Sequence, residues 1–91
     1  MPILKWSVPA RLDLRRVYAW LGDVEPSIAE LVLDALESRA ELLIEYPRIG
    51  SPLPGGRRKL NEPRFGYLII YRLRGSAVEI LRIRHAREDW R

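Results

Sequence analysis

The chain contains no cysteine among its 91 residues, and it has a single histidine and a single methionine. Without cysteine there is no disulfide framework, no thiolate metal ligand and no thiol nucleophile. No apolar run approaches the ~20 residues that a membrane-spanning helix needs. The first residues also lack the apolar core and the small-residue cleavage site of a signal peptide. We therefore expect a cytoplasmic protein that does not enter a membrane.

Positive charge is concentrated in the second half of the chain. Residues 1–46 hold five basic and eight acidic side chains, whereas residues 47–91 hold eleven basic and four acidic ones. The basic half suggests a polyanionic target or an acidic protein partner, and the alternative is that its arginines only maintain solubility. The length suits one domain, which we assign to residues 1–91.

The clearest local pattern lies in the last third, where two apolar runs flank Gly75-Ser76. A glycine in the first position of a two-residue loop is typical of a type II′ turn between paired strands. The runs Tyr67–Arg74 and Ala77–His85 have the β-branched and aromatic content of strands. This stretch predicts a β-hairpin.

A regular register from that loop pairs Arg72 with Glu79 and Ile70 with Leu81. The opposite charges of the first pair favour this register. Alternation then assigns the side chains to two faces. One face carries Leu68, Ile70, Arg72, Glu79, Leu81, Ile83 and His85; the other carries Tyr67, Ile69, Tyr71, Leu73, Val78, Ile80, Arg82 and Arg84. Both faces are partly apolar, so helices should cover one, and the other needs a partner or leaves an exposed apolar patch.

Two helices are predicted ahead of the hairpin. The first begins after Ser7, a favourable N-cap, and should end at Gly22. The second should run from about Pro26 to Tyr46. Both have apolar stripes, at Ala10, Leu14, Val17 and Leu21, and at Ile28, Val32, Ala35, Leu36 and Leu43. An acidic ridge on the second helix is interpreted as a solvated face; it consists of Glu30, Asp34, Glu37, Glu41 and Glu45.

The remaining segments complete the order of elements. Residues 3–6 predict an edge strand, residues 47–56 are too rich in proline and glycine for regular structure, and residues 57–60 should open a strand. Strand, two helices and three strands in this order predict an α+β fold. In it, an N-terminal strand and an antiparallel three-strand segment form one small curved sheet against an antiparallel helical hairpin.

Five segments in this order and spacing resemble a known family. They are Ala10–Leu14, Pro47–Gly50, Arg58-Lys59-Leu60, Gly66–Arg72 and Ile83–Trp90, and they occur together with the opening strand and with the second helix that begins at proline. Over nearly the whole chain, they resemble the RelE/ParE superfamily of toxins from bacterial type II toxin–antitoxin modules, sometimes labelled plasmid stabilisation proteins. The resemblance implies a cognate antitoxin that wraps and neutralises the toxin, and contact with operator DNA only through that antitoxin.

The resemblance leaves two activities open. RelE-like members cleave mRNA on the ribosome and are endoribonucleases, whereas ParE-like members inhibit DNA gyrase. Neither implies a cofactor or a metal, and the sequence has no glycine-rich phosphate loop and no zinc-ligand spacing. A third hypothesis is a protein that has lost toxicity and only binds its antitoxin.

Candidate site residues follow from the basic half. His85 is the only side chain expected to titrate near neutrality unperturbed, and with Arg87 it would be catalytic if the protein is a nuclease. The alternative is that His85 caps the strand end. The predicted target-binding residues are Arg57, Arg58, Lys59, Arg64, Arg82, Arg84, Arg87 and Trp90. Trp90 has a second interpretation, as a packing residue that holds the tail on the body.

Departures from the nuclease pattern favour the ParE-like branch. RelE-type nucleases carry an arginine in the penultimate strand where this chain has Leu68, and often a tyrosine near the C-terminus. Here no tyrosine follows Tyr71, and Trp90 can stack but cannot exchange a proton. Gyrase inhibition is therefore the favoured prediction, with ribosome-dependent mRNA cleavage as the alternative.

Overall fold

The first strand leads directly into a helical hairpin, as the sequence predicts. A computed structural model describes residues 2–87. Its elements are β1 (Ile3–Trp6), α1 (Val8–Val24), α2 (Pro26–Glu45), β2 (Ser51–Pro52), β3 (Arg57–Glu62), β4 (Tyr67–Arg74) and β5 (Ala77–His85). Neither helix in this part of the chain is both long enough and apolar enough to cross a membrane.

The five strands form one curved sheet in the order β1-β5-β4-β3-β2. Strand β1 pairs in parallel with β5, and every other pair is antiparallel. The predicted α+β class, the helical hairpin and the return of the first strand to the later ones are confirmed.

Helix α1 begins where the sequence predicts. The Ser7 hydroxyl oxygen accepts the Ala10 N–H at 3.1 Å, which satisfies one of the free donors of the first turn. The prediction that the helix ends at Gly22 is wrong, because α1 continues to Val24 and the Glu25 N–H still donates to the Leu21 carbonyl. The chain instead breaks before Pro26, since proline disfavours helical geometry in the residue that precedes it.

The core lies between the helical hairpin and one face of the sheet, which we call the helix-side face. From the sheet it includes Ile69, Tyr71, Val78 and Ile80, all fully buried. From α2 it includes part of the predicted stripe together with two alanines absent from it; the buried set is Ala29, Val32, Leu36, Ala40 and Leu43. The acidic ridge of α2 is exposed throughout, as predicted.

The segment 47–56 contains more regular structure than we predicted. Ser51–Pro52 forms β2 against β3, and a 3₁₀ turn covers Pro54–Gly56. A proline is compatible with β2 because this strand lies at the sheet edge, where a missing N–H leaves no ladder bond unmade. Gly55 and Gly56 both have φ near +80°, at 80° and 77°, which only glycine adopts readily.

The hairpin register is confirmed near the turn and wrong beyond it. Arg72 pairs with Glu79 as predicted, but a bulge between Ile70 and Tyr71 makes Ile70 pair with Arg82 rather than Leu81. A bulge adds one residue to one strand, so every later residue of β5 changes face. Ile83 and His85 therefore lie with Ile69 and Tyr67 on the helix-side face; Arg82 and Arg84 lie with Ile70 and Leu68 on the opposite face.

Candidate functional site

The face of the sheet away from the helices, which we call the outer face, collects most of the cations of the strands. By register it carries Arg57 and Lys59 from β3, Arg72 and Arg74 from β4, Arg82 and Arg84 from β5, and Lys5 from β1. Of the predicted site, the structure thus brings Arg57 and Lys59 together on this face. Arg82 and Arg84 share the face by register, but the Arg82 guanidinium binds Asp13 of α1 and Arg84 also lines a groove beside His85. The structure adds Lys5, Arg72 and Arg74, which the sequence prediction did not include although strand alternation places them on the outer face.

The sequence predicted that the sheet face without helices would either need a partner or leave an exposed apolar patch. On the described strands, the outer face is not such a patch. Leu68 and Ile70 lie in its middle but are only 7% and 2% exposed. The register places long cationic side chains beside both of them, and such side chains can cover apolar surface with their methylene stems while the charges stay in water. The outer face therefore presents charge rather than hydrocarbon.

One carboxylate lies among these cations. The Arg72 Nε donates to a Glu79 carboxylate oxygen at 2.7 Å. That hydrogen bond lowers the pKa of Glu79, and the charges of Arg72, Arg74 and Lys5 lower it further. Glu79 therefore stays ionised and cannot serve as a general acid near neutral pH.

Arg82 is tied to α1 through Asp13. The Arg82 Nε and Nη2 donate to the two Asp13 carboxylate oxygens at 2.8 and 3.0 Å, and the Ile83 N–H donates to the same carboxylate at 2.9 Å. Burial raises the pKa of Asp13, but the hydrogen bonds from Arg82 and Ile83 and the nearby cationic charges outweigh it, so the pKa lies below its usual value. Asp13 thus binds the edge of β5 just beyond the last residue paired with β1.

Arg58 lies apart from the other predicted cations. It pairs with Tyr71 on the helix-side face, and its Nη1 donates to the Gly50 carbonyl at 2.8 Å and to the Arg48 carbonyl at 3.2 Å. The Tyr71 hydroxyl binds the same loop by donating to the Pro47 carbonyl and accepting the Gly50 N–H. The contacts of Arg58 therefore stabilise the loop after α2.

His85 also lies away from the outer face. Its ring makes an edge-on contact with Tyr67 at 5.1 Å between centroids, and its Nδ1 accepts the Arg87 N–H at 3.2 Å. The second contact matches the interpretation of His85 as a cap at the strand end. The side chain of Arg87 is exposed, and Trp90 lies outside the described residues.

A groove of about 790 Å³ runs beside His85, between α1, the start of α2 and the ends of β4 and β5. Its lining is mainly apolar and includes Trp20, Val24, Ile28, Phe65 and Tyr67. Trp20 and Val24 are 60% and 54% exposed, unusually high for large apolar side chains. Arg64 lies over the Phe65 ring at 4.9 Å, so this predicted cation borders the groove region rather than the outer face.

The sequence prediction missed this groove, because its apolar residues come from four separate elements. Among the described residues, no three His, Asp or Glu side chains cluster where they could hold a metal ion. The candidate site therefore consists of two surfaces: a cationic outer face suited to binding a polyanion, and an apolar groove suited to binding a protein segment.

Comparison with known families identifies the fold and the class of protein. A family model described as the ParE toxin of the type II toxin–antitoxin system parDE matches residues 4–90. Two toxins of Caulobacter vibrioides are similar over most of the chain. Toxin RelE3 is 37% identical over 81 residues, covering 87% of this chain and 88% of the relative; Toxin RelE1 is 36% identical over 86 residues, covering 91% of both.

Solved structures give a consistent result. The chromosomal ParDE toxin–antitoxin system of P. aeruginosa matches with a TM-score of 0.84 and 26% identity, covering 93% of this chain and 96% of that one. The intact RelBE toxin–antitoxin complex of E. coli matches with a TM-score of 0.68 at 18% identity, covering 97% and 100%, and shows the shared fold.

Proposed function

Because the chain belongs to the ParE toxin family, and is a toxin of the type II toxin–antitoxin class, we propose that it acts by inhibiting DNA gyrase. In this proposal the toxin binds its target without a proton-transfer step of its own. A cognate antitoxin binds the toxin and neutralises it.

The separation of His85 from the outer-face cations Arg57 and Lys59 carries this proposal. General acid–base catalysis on a phosphodiester needs a titrating group within about 2.6–3.2 Å of the transferred proton, or one water away. His85 lies on the helix-side face with Tyr67, whereas Arg57 and Lys59 lie on the outer face. The described outer face offers cations and the paired Glu79, which is an arrangement for electrostatic binding rather than for proton transfer.

RelE-like mRNA cleavage is the second candidate. It is favoured by the names and the similarity of the two Caulobacter relatives. The outer-face cations would also suit it, since an array of arginines and lysines stabilises charge that develops on a phosphate. The two candidates therefore differ in whether the protein supplies a proton donor and acceptor.

Parallel assays of the purified full-length toxin separate the candidates. We expect it to inhibit the supercoiling of relaxed plasmid by gyrase and to leave mRNA intact in a translating extract. Cleaved mRNA with normal supercoiling would replace gyrase inhibition with the nuclease function. If neither activity appears and the antitoxin still binds, the hypothesis of a protein that has lost toxicity is supported.

The variant His85→Gln tests the role of the imidazole directly. Glutamine keeps an acceptor for the Arg87 N–H but cannot exchange protons near neutral pH, so we expect growth inhibition to persist. A nuclease that relied on this imidazole would lose about 100–10,000-fold in rate. Circular dichroism must show that the variant is folded; a folded and inert variant would contradict the proposal.

We place the antitoxin contact in the apolar groove. Similar solved structures are toxin–antitoxin assemblies, and the groove exposes Trp20 and Val24 next to the cations Arg16 and Arg84. An amphipathic antitoxin segment with apolar anchors and acidic flanks complements this surface.

Val24→Asp should weaken antitoxin binding by about 30-fold, as loss of a ~2 kcal/mol hot spot would. Val8→Asp is the matched control, because Val8 is 60% exposed on the same helix but does not line the groove. Titration calorimetry with the purified antitoxin measures the affinity of each variant. Equal affinities for the two variants would move the antitoxin contact elsewhere.

A further inference from the structure

The cations of the outer face form transverse rows across the sheet. Register aligns one row from β1 to β3, and the next two rows across β5, β4 and β3. In order, the rows are Lys5, Glu79, Arg72 and Arg57; then Arg82, Ile70 and Lys59; then Arg84, Leu68 and Asn61. Neighbouring strands lie about 4.8 Å apart, so the first row spans about 14 Å.

On the described strands, little negative charge lies among the cations of these rows. Five cations present their charge on the outer face: Lys5, Arg57, Lys59, Arg72 and Arg74. Arg82 and Arg84 share this face by register, but Arg82 binds Asp13 of α1 and Arg84 also lines the groove. Glu79 is the one carboxylate on this face of the described strands, and Asp13 reaches Arg82 from α1. Five cations and one carboxylate leave an excess of four positive charges among the described strand residues of this face.

Among the described residues, the outer face lacks the anchors that a protein partner needs. Protein–protein interfaces depend on buried aromatic or apolar hot spots. On this face Leu68 and Ile70 are already buried, and the one large exposed apolar side chain on the described strands is Ile3, at the margin beside Ala77. Exposed Trp20 and Val24 belong to the groove instead. A phosphate backbone, in contrast, is bound mainly through cations.

We propose that the outer face binds the phosphate backbone of duplex DNA without reading its sequence. The inference deepens the gyrase proposal, on which it rests for its biological setting: a toxin that holds DNA would meet gyrase on its substrate.

The choice of duplex over single strand comes from the absence of aromatic side chains on the outer face of the described strands. Single strands are held by bases that stack on aromatic rings, and Trp6, Tyr67 and Tyr71 all face the helix side of the sheet. The span of about 14 Å exceeds the ~6 Å width of a B-DNA minor groove, so cations of one row can reach the phosphates on both strands.

Fluorescence anisotropy with the purified full-length chain and two unrelated 20-base-pair duplexes tests the inference. Each neutralised phosphate contributes about 0.9 to the slope of log affinity against log salt. Four contacts give a slope of about −3.6, so affinity should fall about 150-fold between 50 and 200 mM salt. The two duplexes should bind within about twofold of each other.

Arg57→Gln combined with Lys59→Gln should reduce the magnitude of that slope by about two. The matched control is Arg11→Gln combined with Arg15→Gln, which removes the same charge from exposed positions of α1 and should leave the slope unchanged. Equal loss in both double variants, or a wild-type slope near zero, would overturn the inference.

Two competitors identify the class of ligand. Single-stranded RNA that binds more tightly than duplex DNA, or polyglutamate that competes as well as duplex DNA, would overturn the choice of ligand. Because the assay contains no gyrase, its outcome is separate from the proposed function. DNA binding with normal supercoiling supports the inference and contradicts the gyrase proposal. Inhibited supercoiling without DNA binding supports the gyrase proposal and contradicts the inference.

Discussion

Replacing Asp13 with asparagine removes the charge that joins α1 to the edge of β5. The Asp13 side chain is 6% exposed and accepts three hydrogen bonds, two from the Arg82 guanidinium and one from the Ile83 N–H. Asparagine has a similar shape but only one acceptor oxygen, and its amide N–H₂ would face donors. Arg82 would keep its charge beside a neutral group.

The expected loss of stability follows from these contacts. Breaking a buried ion pair by removing one partner costs about 3–5 kcal/mol, but the Arg82 side chain is 36% exposed and water can solvate it in part. We therefore expect about 2–3 kcal/mol in the free energy of unfolding at neutral pH. For a domain of this size that corresponds to a fall of about 10–20 °C in Tm.

The pH dependence gives a second readout. The pKa of Asp13 in the folded protein lies below its ordinary value of 3.8, so its contribution to stability is present above that value and lost as pH falls through the folded pKa. The stability gap between wild type and Asp13→Asn should therefore be constant above pH ~5 and shrink below pH ~4.

Thermal and urea unfolding followed by circular dichroism from pH 3 to pH 7 measures both effects. Asp34→Asn is the control, because Asp34 is an exposed acid of the α2 ridge and such changes usually stay within about 0.5 kcal/mol. The reasoning would be refuted if Asp13→Asn matched Asp34→Asn at pH 7, or if its gap stayed unchanged at pH 3.

Two further variants test the packing around the loop after α2, and a third tests the last turns of α1. Tyr71→Phe should lose about 1–3 kcal/mol in urea unfolding, because the buried Gly50 N–H loses its acceptor. Gly50→Ala should also destabilise, by about 1–3 kcal/mol, since its Cβ would lie 2.6 Å from the Tyr71 ring and 2.7 Å from the Lys59 carbonyl; a variant as stable as wild type would contradict the close approach. Gly22→Ala should stabilise by about 0.5–1 kcal/mol, because Gly22 lies inside α1 with no atom within 4 Å of its Cβ position, and a lower Tm would argue against that.

Elements fixed by local chemistry were predictable from the sequence. Ser7 caps α1, and Gly75 with a φ of 59° opens the hairpin loop between strands that have the predicted bounds. The end of α1 was not predictable from the sequence, because the glycine at position 22 ends a helix only when the following residues cannot continue it. The groove was beyond sequence reasoning too, since it depends on how α1 lies against the ends of β4 and β5.

The bulge in the hairpin shows how one residue decides the makeup of the candidate site. The predicted register placed His85 with Arg72 on one face and Arg82 with Arg84 on the other. The residues around the bulge are Ile70 and Tyr71 on one strand and residues 80–82 on the other, and none of them is a glycine or a proline. The local sequence therefore shows no sign of an irregularity there.

Tertiary contacts supply what the local sequence does not. Strand β1 ends at Trp6 opposite Ile80, and beyond it the Ser7 hydroxyl donates to the Leu81 carbonyl while Asp13 accepts the Ile83 N–H. These side chains satisfy the edge of β5 around the inserted residue, which is the place where a bulge leaves backbone groups unpaired. The inserted residue then moves the arginines 82 and 84 to the outer face and His85 to the helix side. The same one-residue shift therefore separates the one histidine from Arg57, Lys59 and Arg72 of the outer face, which is why we favour binding over proton transfer.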